Sequence, residues 1–136
     1  MRHPVILALV SFGLGLVSAP SASAQSLTPM KADIYTFSDQ AAMRLNVRNP
    51  YDSATRFSVH AYTENWVPIN DVRFSRDQFN MAAGSTAPLT VVAPLNGATS
   101  QTMCVCVLSQ PIYGAGTGLR GQVCGKYRAI QRAAWQ

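Results

Sequence analysis

The sequence predicts an all-β protein: an immunoglobulin-like antiparallel β-sandwich of about seven strands. Three observations carry this prediction. Apolar residues recur with a period of two in several short runs. Turn-forming Gly, Pro, Asn and Asp residues separate those runs at intervals of about ten residues. No convincing amphipathic helix and no internal repeat interrupts the pattern.

The elements follow in order. Met43, Leu45 and Val47 alternate with Arg44, Asn46 and Arg48, as in a half-buried strand with its polar face outward. Asn49-Pro50 stops it, because proline has no amide hydrogen to give a ladder. Phe57, Val59 and Ala61 alternate with Arg56, Ser58, His60 and Tyr62 in a second strand. Phe74, Phe79 and Met81 mark a weaker strand region. Leu89 to Val92 is a short apolar strand closed by Pro94, and Asn96-Gly97 is a strong turn pair. Thr102 to Leu108 is nearly all apolar and reads as a central strand buried on both faces. Leu119, Val123 and Tyr127 alternate with Arg120, Gln122, Lys126 and Arg128 in a last strand, which Gly121 and Gly125 weaken or open to another backbone.

Residues 1–24 read as a cleaved secretory signal peptide. Arg2 supplies the charge, Val5 to Val17 the apolar run, and Ala22-Ser23-Ala24 a small-x-small cleavage site. The run is shorter than the roughly 20 apolar residues a bilayer span needs, so no stable membrane insertion is expected. Removing 24 of 136 residues leaves 112, enough for one domain with a real core. The expected organisation is a sandwich over 25–128 and a short tail over 129–136, in a periplasmic or otherwise exported protein.

Charge is unevenly placed. Residues 25–77 carry six basic and six acidic side chains, whereas 78–136 carry Arg120, Lys126, Arg128 and Arg132 and no acid. Such a basic end solvates a strand and tail, or meets anionic lipid, a carboxylate or an acidic partner. Export and the lack of interleaved stacking aromatics argue against nucleic acid. Gly116-x-Gly118-x-x-Gly121 formally matches a dinucleotide fingerprint, but strand alternation rather than a helix follows it, so no nucleotide is expected.

Three cysteines remain to be placed. Cys104 and Cys106 share one face of a strand and cannot easily bond to each other. Cys124 lies on the next strand and can reach either. A Cys106–Cys124 disulfide is favoured as the tighter register, and would contribute roughly 3 kcal/mol by constraining the unfolded chain. Alternatives are a Cys104–Cys124 bridge, buried free thiols, or a bond to another protein. Cys-x-Cys with Met103 is a weak soft-metal pattern, since alternation turns Met103 to the opposite face. His60 has no nucleophile or orienting carboxylate near it in sequence, and no carboxylate pair suggests hydrolysis. No cofactor, no metal and no enzymatic activity are expected.

Met43 to Pro50 (MRLNVRNP) and Thr55 to Tyr62 (TRFSVHAY) resemble the paired strands that open periplasmic pilus chaperones of the PapD-like family. Phe79 to Val91 (FNMAAGSTAPLTV) and Thr102 to Pro111 (TMCVCVLSQP) resemble the segments that follow, so the likeness spans roughly 27–128. It implies an immunoglobulin-like domain, the N-terminal one of two in that family, that binds a partner by adding a strand. The last strand would be the exposed edge, with Leu119, Val123 and Tyr127 as apolar donors. Lys126 would help anchor a partner's terminal carboxylate, with Lys31 a looser match on the first strand. The family holds that carboxylate between its two domains; this sequence has room for one.

The resulting expectation is a non-enzymatic, chaperone-like periplasmic module that engages a pilin-like or envelope protein by edge-strand addition. The alternative is a structural subunit of a cell-envelope or surface-appendage assembly.

Overall fold

The computed structural model describes residues 27–112 and 121–133; residues 1–26, on which the expected signal peptide falls, the glycine-rich stretch 113–120 and residues 134–136 lie outside the described residues. The described residues form nine strands: β1 (Leu27–Thr28), β2 (Lys31–Thr36), β3 (Gln40–Arg48), β4 (Thr55–Tyr62), β5 (Arg73–Phe74), β6 (Gln78–Met81), β7 (Thr86–Pro94), β8 (Ser100–Pro111) and β9 (Gly121–Gln131). They build a four-stranded sheet, β1-β3-β7-β5, packed on a five-stranded sheet, β2-β9-β8-β4-β6. This is the immunoglobulin-like sandwich that the alternating runs predict. Among the described residues no helix is long and apolar enough to cross a membrane.

The core lies where alternate residues of the two sheets meet. Leu45 and Val47 of β3 and Leu89 and Val91 of β7 face Phe57 and Val59 of β4, and Met103, Val105 and Val107 of β8. Each such side chain contributes roughly 1.5–3 kcal/mol on burial. β3 and β7 pair antiparallel over nine register positions, which fixes the exposed face of this sheet as Arg44, Asn46 and Arg48 beside Thr86, Pro88 and Thr90. Asn49 does more than stop β3. It is fully buried, and its amide donates to the carbonyls of Ser53, Met81 and Ala82, while its Oδ1 accepts from the Tyr51 amide. It thereby fastens the β3–β4 turn to the end of β6.

Four expectations change. The first strand is two strands: the chain pairs with β3 through Leu27 and Thr28, turns at Pro29, and crosses to the other sheet as β2. β2 then runs parallel to β9, so the sandwich is not wholly antiparallel. β9 continues to Gln131 and buries Ala129 completely, so 129–131 belong to the sandwich rather than to a tail. β8 is buried on its inner face, whereas on its outer face only Cys106 is fully covered and Cys104 and Leu108 are half-buried.

Candidate partner-binding edge

β9 carries most of the residues the sequence singles out. It pairs with β8 from Gly121↔Ser109 to Ile130↔Ser100, and this register decides which side chains face inward. Val123, Gly125, Tyr127 and Ala129 face the core; Gln122, Cys124, Lys126 and Arg128 face outward. The period of two is as predicted, but the apolar phase is the interior one. Tyr127 is fully buried and therefore is not an exposed donor to a partner. Its hydroxyl donates to the Pro29 carbonyl at the crossing between sheets, and burial pushes the phenol up to about 12. Val123 is half-buried against the core. Leu119 lies outside the described residues.

The glycines of β9 make this inner face possible. A Cβ at Gly125 would overlap the Tyr127 ring, so the missing side chain is where the tyrosine folds back over its own strand. A Cβ at Gly121 would stand 2.6 Å from the Tyr51 hydroxyl and 2.9 Å from Ser109 Oγ. That hydroxyl and Ser109 Oγ lie 3.1 Å apart, and Ser109 Oγ donates to the Gly121 carbonyl.

On its other side β9 is only partly covered. β2 pairs with Lys126–Gln131, and the Lys126 amide donates to the Met30 carbonyl. Among the described residues no strand pairs with Gly121–Gly125 on the side away from β8. Where the open segment meets the covered one, the register sets Lys31 beside Lys126. Lys31, Asp33, Glu64, Thr102, Lys126 and Arg128 line a shallow groove of about 340 Å³ there. Glu64 reaches over from the β4–β5 connection to within 2.6 Å of Lys126 Nζ. Asp33 takes Arg128 in a two-pronged contact of 2.7 and 3.2 Å. The hydrogen bonds that Lys126 and Arg128 donate to these carboxylates hold both cations above their ordinary pKa. Lys31 joins neither ion pair, so among the described residues the groove retains one uncompensated cation. The alternation of Ala32 and Ile34 with Lys31, Asp33 and Tyr35 is a sequence signal for β2 but not for its pairing with β9.

Cys106 and Cys124 are directly opposite in the register, 4.0 Å apart at Cα, and form a disulfide. It ties the open segment of β9 to β8 on the outer face. Cys104 is a free, half-buried thiol between Tyr62 and Lys126. Met103 is buried in the core on the opposite face. His60 is exposed, and among the described residues no carboxylate hydrogen-bonds to it. It borders a larger groove of about 510 Å³ between β4 and residues 68–78, whose lining includes Ser58 and Asp77. The β4–β5 connection also presents Trp66, exposed at φ 62°, its ring tilted against Tyr62 at 5.9 Å between centroids.

No family profile matches the chain, and no curated protein sequence is similar to it. Solved structures are. The periplasmic chaperone SfaE superposes with a TM-score of 0.62 at 14% identity, over 79% of this chain and 57% of SfaE. The E. coli chaperone DraB gives 0.66 at 16% identity, over 81% and 56%. The sandwich has the fold of these chaperones' immunoglobulin-like domain. The chain spans a little over half the length of these chaperones. A PapD-like domain of human CEP192 matches over 98% of this chain and all of its own length, with a TM-score of 0.62 at 9% identity. Two further neighbours are chaperones solved with a Salmonella enterica pilin and with an Acinetobacter baumannii tip adhesion subunit.

Proposed function

We propose that this protein is a non-enzymatic, chaperone-like binding module of the periplasm that takes a protein partner onto the edge of β9. The observation that carries the reading is the PapD-like sandwich whose edge segment Gly121–Gly125 has no second strand among the described residues. Such an edge offers backbone amides and carbonyls to an incoming strand. The disulfide keeps the segment extended, so little ordering entropy is lost on pairing. Lys31 and Lys126, at the end of the open segment, suit the terminal carboxylate of a pilin-like or envelope subunit. Contacts come from the backbone of 121–125 and from these cations, with Val123 contributing only its exposed fraction and Leu119 a further apolar contact from the preceding stretch.

The test is amide hydrogen exchange on a verified complex captured from the native envelope. Strand addition slows exchange within 121–125 and leaves 126–131, already covered by β2, unchanged. Unaltered exchange at 121–125 in that complex overturns the mechanism. The alternative reading is a structural subunit of a cell-envelope or surface-appendage assembly. Co-purification at fixed stoichiometry with that assembly would favour it.

A further inference from the structure

The face of the four-stranded sheet that points to solvent differs from the rest of the surface. Its strands present Arg44 and Arg48 from β3 and Arg73 from β5, all exposed, with Ala42, Pro88, Thr90 and Val92 between them. Arg44 and Arg48 stand about 13 Å apart along one strand, and Arg73 lies across β7, about 10 Å to the side. Among the described residues none of the three guanidinium groups makes an ion pair, hydrogen bond or ring contact. The six carboxylates of the sequence lie off these strands. Asp33 and Glu64 are ion-paired on the other sheet. Asp39 and Asp71 sit at the end of the sheet, where each accepts a hydrogen bond from the Asn96-Gly97 turn. Asp52 and Asp77 lie in connections.

We infer that this arginine face docks on the anionic headgroups of a phospholipid bilayer. Three features favour lipid over other anions. The arginines are spread across a flat sheet and do not converge on one point, which suits an array of phosphates and not a single small anion. Mobile headgroups let each guanidinium find its own phosphate in a two-pronged bond without shape matching. A protein partner would require an apolar or aromatic centre. The exposed large hydrophobic residues Tyr35, Phe37, Tyr51, Trp66 and Val67 are all off this face. Docked this way, the sandwich turns its other sheet, with the β9 edge, away from the membrane. The inference does not depend on strand addition.

The test uses the chain from Gln25, which keeps every described strand, sedimented with vesicles of phosphatidylglycerol mixed into phosphatidylcholine. Binding should rise with the phosphatidylglycerol fraction, vanish on pure phosphatidylcholine and fall at high salt. Arg44→Gln, Arg48→Gln and Arg73→Gln should each weaken partitioning about fivefold. The triple variant should keep the wild-type Tm, because none of these side chains is packed. The pair Arg56→Gln and Arg76→Gln, on other surfaces, should bind as wild type. Equal binding by wild type and triple variant overturns the inference. So does retention of the wild type by an acidic polypeptide but not by phosphatidylglycerol vesicles, which would make the face a protein dock.

Discussion

The two halves of β9 are held in different ways. Lys126–Gln131 lies between β8 and β2, and its inner side chains, Tyr127 and Ala129, are fully buried. Gly121–Gly125 has β8 alone among the described residues, places two glycines on the core side, and is secured by a cross-strand disulfide. The covered half is stabilised by packing that needs both sheets. The open half is stabilised by a covalent bond to β8 and, among the described residues, has no second strand on its outer side.

The comparison breaks most readily on the covered side. Tyr127→Ala removes the largest fully buried side chain and should cost about 3–5 kcal/mol, read from chemical denaturation. A loss under 1 kcal/mol would mean that the covered half is not anchored by its core contacts. Replacing Cys106 and Cys124 together by serine should cost roughly 3 kcal/mol. It should also raise hydrogen exchange at 121–125 more than at 126–131; uniform exchange along β9 would erase the distinction between the halves. The smallest change, Tyr127→Phe, leaves the Pro29 carbonyl without its donor and should cost about 1–3 kcal/mol. It carries a pH signature as well. The phenol ordinarily titrates near 10.0 but is raised to about 12 in the fold, so the unfolded chain loses that proton first as pH rises. Its stabilisation is complete below pH 10 and is lost as pH climbs toward about 12. Tyr127→Phe should flatten that part of the stability curve.

Much of the sandwich is legible in the sequence because β3, β4 and β8 each bury one face, and burial writes a period of two into the residues. The turn residues between them are legible for the same local reason. β9 exposes the limit. Its phase can be read, but one strand does not say whether its apolar side meets the core or a partner. That choice depends on the second sheet, and here it makes Tyr127 interior. Gly125 was the available clue: a glycine two residues before a tyrosine on the same face leaves the space into which the ring folds. The β2 strand was missed because its polar residues, Lys31 and Asp33, dominate a short run whose inner positions are only Ala32 and Ile34. Its parallel pairing with β9 joins residues about 95 positions apart, a relation that no local pattern records. The ion pairs in the groove depend on that same long-range register. The arginine face was half visible, since Arg44 and Arg48 share a phase, but Arg73 joins them only through β7.

The parallel pairing of β2 with β9 also has a mechanical consequence. These strands lie toward opposite ends of the described chain and share six register positions, Lys31–Thr36 against Lys126–Gln131. Tension that draws the two ends apart pulls the strands past each other along their length. Their hydrogen bonds are then loaded together, in shear, instead of one at a time as in an unzipping hairpin. The first crossing between sheets, at Pro29, sits at one end of this clamp, with the Tyr127 hydroxyl fastened to it.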